Sequence, residues 1–356
     1  MREKRKGTER NRATLKEVAN AVGVSICTAS VVLNNSNSGS RVSEATRTRV
    51  LEAARTLGYR ANQLARSLHA GTTHVIGVVP AAADTNILLG PHLQHVLNGI
   101  VNEAEIAGYD ISLITRCDQS HPSDLLDVLL GGRMDGVIVV APRSTSRLIP
   151  LLKYENLPMV VIDGDPEQCD INYVIDNEAS VRMAIQKINQ FGHTKIGHIA
   201  GPQDLYASRI RKDAFFREMQ RLGLPIQMEW LQVGAFDIPS GHEAMNRILK
   251  NPEHPTVVFC ANDEMAFGAI HSIQDHGMRV PEDISIVGFD DVPVASLTSP
   301  PLATIKQPIE AIARAATAAL INCIEDGKAV KSQTFPGSFI ERTSLAKLTL
   351  HSKSSE

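Results

Sequence analysis

The sequence predicts a molecule in two parts: a small all-α head, then a two-lobed α/β body beyond a short connector. Three observations predict it. Residues 14–58 hold three short helical patterns, each with its own start and stop signals. From Thr73 onward, β-rich runs alternate with helical segments, and the alternation comes twice. Charge divides at the same place. Residues 1–72 carry 13 Lys+Arg against 5 Asp+Glu, or +8, while the rest carries −11 of a net −3. A basic head on an acidic body suits a polyanion held by the head alone.

The head reads in order. Thr14-Leu15-Lys16-Glu17 has the capping-box form, and Leu15, Val18, Ala19 and Val22 then recur at helical spacing. Gly23 breaks this helix, Val24 fills the corner, and Ser25 caps a second helix running to about Asn34. Two helices around a tight Gly-containing turn make a helix-turn-helix, whose second helix can enter a DNA major groove. On that helix Ala29, Val32 and Leu33 are expected to face the first one. Ile26, Cys27, Thr28, Ser30 and Val31 are left pointing outward, where hydroxyls can meet phosphates and apolar groups can meet thymine methyls. A third helix, roughly Ser43 to Gly58, is expected to bury Val50, Leu51, Ala54 and Leu57 and to display Arg47, Arg49 and Arg55. The alternative is a small helical bundle with ordinary solvated charges. Asn62 can cap a fourth helix and Gly71 can end it. Isolated helices below roughly 12–15 residues are marginal in water, so this one should form only with a partner.

In the body, His74–Pro80, Asp110–Thr115, Gly136–Ala141 and Pro158–Asp163 read as buried strands. Pro91–Ala107, Ser123–Leu130 and Ser146–Glu155 read as the helices between them. The second set has strands at Lys195–Ala200, Trp230–Gly234, Thr256–Ala261 and Ile284–Gly288. Its helices are Asn177–Phe191, Arg209–Arg221, Pro239–Lys250 and Glu264–His276. Such alternation is the mark of parallel sheets covered on both faces. Ligands on these sheets bind outside the carboxyl ends of strands, which selects Asp163, Gly201-Pro202, Asn262-Asp263 and Asp290-Asp291. Ile309–Asp326 follows as an apolar helix and Ser332–Phe335 as a last strand.

Five widely spaced cysteines (Cys27, Cys117, Cys169, Cys260 and Cys323) form no CxxC pair, so no metal, cofactor or disulfide is expected. No secretory signal and no bilayer-length apolar run is evident, and a cytoplasmic protein, not membrane-bound, is the expectation. There is no Gly-x-Ser-x-Gly elbow, no Gly-Lys-Ser/Thr phosphate loop and no His pair at zinc spacing. Catalysis is therefore not expected. His92 and His95 share a helix face with no carboxylate evident nearby, and a surface role is expected for both.

Gly23-Val24-Ser25, Thr28, Ser30, Val32-Leu33-Asn34, Val42-Ser43 and Leu57-Gly58-Tyr59 together strongly resemble the lactose-repressor (LacI/GalR) family of transcription regulators. Asn62-Gln-Leu-Ala-Arg-Ser-Leu-His69 resembles that family's hinge helix, and the likeness continues almost to the C-terminus. The resemblance implies a periplasmic-binding-protein-like, two-lobed effector domain and a homodimer on palindromic operator DNA. It implies DNA contacts from Thr14, Ser25, Ile26, Cys27, Thr28, Ser30, Val31, Asn34 and Tyr59 in the head. In the hinge it implies Asn62, Ala65, Arg66, Leu68 and His69, with Leu68 prying open the central base step. Val31 departs from the family, many of whose members have Arg or another polar residue there, and Ala61 stands where Pro is frequent. The domains implied are a disordered basic tail 1–12, the head 13–60 and the hinge 61–72. The first lobe is then 73–176 with 308–335, the second 177–307 with 336–350, and 351–356 a tail.

Effector contacts follow by the same resemblance. Gly201-Pro202 with Arg211 and Phe215 matches the effector-clamping arginine segment, although Ala214 replaces the usual Gly. Gly288-Phe-Asp-Asp291 points to Asp290, Ala261-Asn262-Asp263 to Asn262, and Gly-Ala-Phe236-Asp to Phe236; Asp163, chosen only for its place directly after a strand, completes the set. Arg211 can make a two-pronged contact with hydroxyls or a carboxylate, and Phe236 offers an apolar face. A sugar or sugar derivative is the effector expected, with a purine-like or acidic ligand open. Ile87-Leu88-Leu89 and Leu205 stand where purine- or galactoside-type relatives carry polar or aromatic groups. Ala303–Pro308 resembles the crossover back to the first lobe. The rival readings are an enzyme, a periplasmic sugar-binding protein, and a regulator controlled by a protein partner.

Overall fold

The computed structural model describes residues 13–33, 42–60, 71–80, 90–115 and 122–348. The chain divides into two compact units, Met1–Thr73 and His74–Glu356. The sequence readings on residues 1–12, Asn34, Asn62–His69 and Ile87–Leu89 lie outside the described residues.

In the first unit, α1 (Leu15–Val22), α2 (Ile26–Leu33) and α3 (Glu44–Thr56) pack around Val18, Ala19, Val22, Ala29, Val32, Val50 and Ala54. The capping box at Thr14 is complete: Thr14 Oγ1 accepts from the Glu17 amide, and Glu17 Oε2 accepts from the Thr14 amide at 2.6 Å. Gly23 ends α1 in the left-handed region, φ 72°, where a Cβ would be strained. Arg49 on α3 donates from Nη2 to the Val22 carbonyl at 2.6 Å, so it closes the end of α1 and is not simply displayed.

Three expectations for the head need correction. Val31 is 8% exposed, not outward-facing; it lies one residue from Val32, on the edge of the buried stripe, and a branched apolar side chain gains by leaving water. Leu51 and Leu57 are 40% and 42% exposed, because a helix of this length covers its neighbours with one stripe only, and Val50 and Ala54 fill it.

The second unit holds two six-stranded sheets. The first has the order β11-β5-β4-β3-β1-β2, with β1 (Val75–Pro80), β2 (Asp110–Leu113), β3 (Gly136–Val140), β4 (Met159–Ile162), β5 (Asn172–Ile175) and β11 (Gln333–Phe335), all pairs parallel. The second has the order β12-β10-β9-β8-β6-β7, with β6 (Ile196–Ala200), β7 (Leu231–Val233), β8 (Val257–Cys260), β9 (Ser285–Asp290), β10 (Ala303–Lys306) and β12 (Ser338–Ile340). Only β12, which pairs with β10, runs antiparallel. The helices are α4 (Pro91–Ala107), α5 (Pro122–Leu130), α6 (Leu148–Tyr154), α7 (Asn177–Gln190), α8 (Tyr206–Arg221), α9 (Ile238–Leu249), α10 (Asp263–Asp275) and α11 (Ile309–Asp326).

Central strands such as β3 and β8 are buried along their whole length, as a parallel sheet covered on both faces requires. β2 differs from expectation: as an edge strand it is exposed at both ends. Ala303–Lys306 is not a bare crossover but a strand of the second sheet, so the passage to α11 is confined to Gln307 and Pro308. Ser332–Phe335 is not the last strand, since β12 follows. Paired helices approach closely where side chains are small. A Cβ on Gly268 of α10 would fall 2.1 Å from the Ile238 carbonyl of α9.

Candidate functional site

In the head, Ser25 caps α2 by accepting from the Thr28 amide at 3.0 Å, and the two hydroxyls lie 2.8 Å apart. Ile26 is 49% exposed and Cys27 is exposed, so the start of α2 presents an apolar and thiol surface flanked by hydroxyls. Thr28 and Ser30 are half-buried, Thr14 is exposed, and Tyr59 packs against the head core. An exposed Ile and Cys on a helix this short have no use in water; a helix N-terminus flanked by hydroxyls suits a duplex.

The body's candidate site forms where each sheet reverses its strand order. β1 has β3 on one side and β2 on the other; β6 stands likewise between β8 and β7. At such a reversal the helices leave on opposite faces and a crevice opens at the carboxyl ends. A cavity of about 390 Å³ lies there. Ala141 follows β3, Asp163 follows β4, Asn262 follows β8 and Asp290 ends β9; all four line it, with Arg211 of α8 and Phe236 after β7. The structure thus brings together Asp163, Arg211, Phe236, Asn262 and Asp290, while Gly201, Pro202, Asp263 and Asp291, also selected at strand ends, are not among the cavity's lining residues.

Backbone strain gathers at the same place. Among the described residues, non-glycine residues with positive φ include Ala141 (46°), Asp163 (55°), Phe236 (65°) and Asp290 (132°), and each lines the cavity. Such conformations cost of order 1–3 kcal/mol each and persist where surrounding structure holds them, commonly at ligand sites.

Arg211 is buried, with its guanidinium carbon 3.7 Å from the centroid of the Phe289 ring. Its Nε donates to Asn177 Oδ1 at 2.8 Å and its Nη1 to the Ala261 carbonyl at 2.7 Å. Asp290 Oδ1 lies 3.9 Å from Nη1 and accepts from Gln307 Nε2. Two of the five guanidinium donors are thus engaged by the protein, which constrains the two-pronged ligand contact expected of it. Burial pushes the Arg211 pKa down and the Asp290 pKa up, and the attraction between the two opposes both shifts. Asn262 is occupied at both ends: Oδ1 accepts from the Met265 amide and Nδ2 donates to the Phe236 carbonyl. It holds the strand end and the Phe236 loop together. Behind them, Asp263 is raised by burial and by the Asp290 charge, while its oxygens accept from Thr304 Oγ1 and the Val292 amide.

His92 is where the sequence reading fails. It lines the cavity, with Nε2 3.2 Å from Asp163 Oδ2, while His95 Nδ1 lies 3.1 Å from Glu310 Oε1. Both therefore have carboxylate partners from distant segments, invisible as local spacing. Burial disfavours the His92 imidazolium, but the hydrogen bond and charge of Asp163, helped by Asp290, outweigh it and raise the pKa. Asp237 and Glu264 also line the cavity and were missed. Each is adjacent or nearly so to a chosen residue, Phe236 or Asn262, which was the available signal. Burial and the charges of Asp290 and Asp237 push Glu264 up to about 7. The apolar wall comes from Leu93, Leu205, Ile238 and Pro239.

Comparison with known proteins follows this division. Residues 14–62 match the family model described as bacterial regulatory proteins, lacI family, and residues 185–345 match the periplasmic binding protein-like domain. The HTH-type transcriptional repressor PurR of Aliivibrio salmonicida (strain LFI1238) is 34% identical over 317 residues, covering 88% of this chain and 93% of the relative. PurR of Haemophilus influenzae (strain PittEE) is 35% identical over 299 residues, covering 83% and 86%. Among solved structures, the lac repressor dimer bound to operator and the anti-inducer ONPF superposes with a TM-score of 0.83 at 28% identity, covering 94% of this chain and 100% of that one. The complex of transcriptional regulator CelR with cellobiose gives 0.73 at 28% identity, with the same coverage.

Proposed function

The chain belongs to the lacI family of bacterial regulatory proteins and is a DNA-binding transcriptional repressor; we propose that a small polar effector in the body's cleft sets its grip on DNA. The observation that carries the effector reading is the cavity of about 390 Å³ lined by Asp163, Arg211, Phe236 and Asp290. Polar groups converge there against an apolar wall, the usual composition of a small-molecule site. A sugar or sugar derivative fits: carboxylates accept from hydroxyls, and Phe236 with Leu205 covers the carbon face of a ring.

The protein acts in the cytoplasm as a homodimer on near-palindromic operator DNA, because a two-fold dimer places two recognition helices on related half-sites. Ser25, Ile26, Cys27 and Thr28 make the head's groove contacts. In the hinge, where 61–70 lie outside the described residues, this reading assigns Leu68 and Ala65 to the minor groove and counts Asn62, Arg66 and His69 among the DNA contacts. Ligand closure of the two lobes alters the spacing of the two heads. Coupling of about 1–3 kcal/mol changes operator affinity some 5–150-fold. No catalytic step is part of the reading.

A purine-type effector is the second reading, favoured by the PurR relatives. Leu205 and Ala207 on the cavity wall carry no side-chain donor or acceptor for a base edge, while the carboxylates of Asp163 and Asp290 suit the hydroxyl donors of a sugar. The test is a thermal-shift screen of sugars, sugar acids and nucleobases, followed by footprinting on the gene's own upstream DNA with and without the hit. Protection that no hit changes would remove the effector reading and leave the repressor.

A further inference from the structure

We infer that the effector is a hydroxylated ring bearing a protonated amine, whose ammonium group donates to Asp163 Oδ1. This deepens the reading of the cleft as an effector site and rests on it. Among the described residues, four carboxylates line the cavity (Asp163, Asp237, Glu264 and Asp290), against Arg211 and His92 as the basic ones. Arg211 is set against Asp290 and His92 against Asp163, and Arg211 Nε and Nη1 already donate to Asn177 and the Ala261 carbonyl. Asp237 and Glu264 are left without a basic partner among the described lining residues.

The second observation is independent of that count. Asp163 is 6% exposed and lines the cavity; its Oδ2 faces His92, but its Oδ1 is buried with no hydrogen-bond partner among the described residues. A buried carboxylate oxygen without a donor is costly, and the cost falls when a ligand brings one. Ligand classes then separate on charge. An anionic ligand, such as a sugar acid, adds like charge to four carboxylates. A neutral ring strips water from those carboxylates and returns O–H···O⁻ hydrogen bonds, but brings no opposite charge. A cation supplies a bond in which both partners are ionised, and it alone balances the carboxylates that lack a basic partner. Glu264 fits the same picture, since the neighbouring charges of Asp290 and Asp237 that hinder its ionisation are those a cation would balance.

The probes are matched hexoses of gluco, galacto and manno configuration. Each is used as neutral sugar, as 2-amino-2-deoxy sugar and as uronate, on the full-length protein by thermal shift and then titration calorimetry. The expected result is that one amino sugar binds at least tenfold tighter than its neutral counterpart and that no uronate binds detectably. Asp163→Asn should remove that preference while the unliganded melting temperature and far-UV spectrum stay close to wild type; Glu264→Gln should reduce it severalfold, a check should Asp163→Asn misfold. A neutral hexose or uronate binding as well as the amino sugar overturns the inference but keeps the cleft as an effector site. So does a set in which none of the nine binds while hypoxanthine or cellobiose does. Failure of every probe overturns the inference and counts against the effector reading as well.

Discussion

Arg209 on α8 forms an ion pair from Nη2 to Asp165 Oδ2, joining the second lobe to the first. A second tie lies close by. Arg143, after β3, pairs with Asp204, the Ser144 amide donates to the Asp204 carbonyl at 2.8 Å, and Arg143 and Leu205 form an antiparallel bridge. Leu205 also lines the cavity, so these ties hold the lobes together at the cleft itself.

Breaking them should loosen the closed arrangement. Both pairs are partly exposed, where such bridges contribute about 0.2–1 kcal/mol each. The double variant Asp165→Asn with Arg143→Gln should weaken effector binding about 3–10-fold by reducing the closed fraction. Calorimetry checks the affinity and small-angle scattering the opening. Unchanged values in both would show that the ties contribute nothing to closure.

Arg211→Ala removes the charge facing Asp290 and the donors to Asn177 and the Ala261 carbonyl. Losing one member of a buried pair costs about 3–5 kcal/mol. The body should melt well below wild type, and the effector response should vanish while specific operator binding persists. Retention of the full response in an operator titration would remove Arg211 from the site.

Glu264 predicts a pH effect whose sign is fixed. Its folded pKa, about 7, lies above the ordinary carboxylate value, so the folded body favours the protonated form. That contribution is complete below about pH 4.5 and fades as pH rises through 7. Asp263 and Asp290 shift in the same direction and add to the slope. Melting temperature should therefore fall between pH 5 and 8. Glu264→Gln should flatten the fall and gain about 2–4 °C at pH 8 for each kcal/mol recovered. A parallel pair of pH curves would show that Glu264 ionises freely in the folded body.

In the head, Ile26→Ala should lower specific operator affinity about fivefold while leaving non-specific binding and its salt slope unchanged, since an apolar base contact releases no counterion. Thr14→Ala should act otherwise: loss of the cap costs about 1 kcal/mol and lowers the melting temperature of the head. Equal losses on specific and non-specific DNA for Ile26→Ala would argue against a base contact.

Much of the architecture was legible because it rests on local rules. Pro91–Ala107 and Ile309–Asp326 have the helix bounds read from the sequence, since Gly108 and Gly327 stop them in left-handed conformations. The shortest strands were not legible. β5, β10 and β12 are four residues or fewer, and a run that short takes its identity from the strand beside it. The cleft was legible where a polar residue directly follows a strand, as at Asp163 and Asp290. It was not legible at His92, which reaches Asp163 across 71 positions of sequence.

The chain alone determined the kind of molecule. Its caps, glycine stops, alternating apolar runs and uneven charge follow from rules acting over a few residues. Only the tertiary structure decided how the chosen side chains are used. It engaged Asn262 and two donors of Arg211 in holding the cleft, buried Val31, and left Asp163 Oδ1 without a donor among the described residues. The reason is that hydrogen-bond satisfaction and electrostatic balance depend on which groups meet, and here they meet between strand ends and helices far apart in sequence.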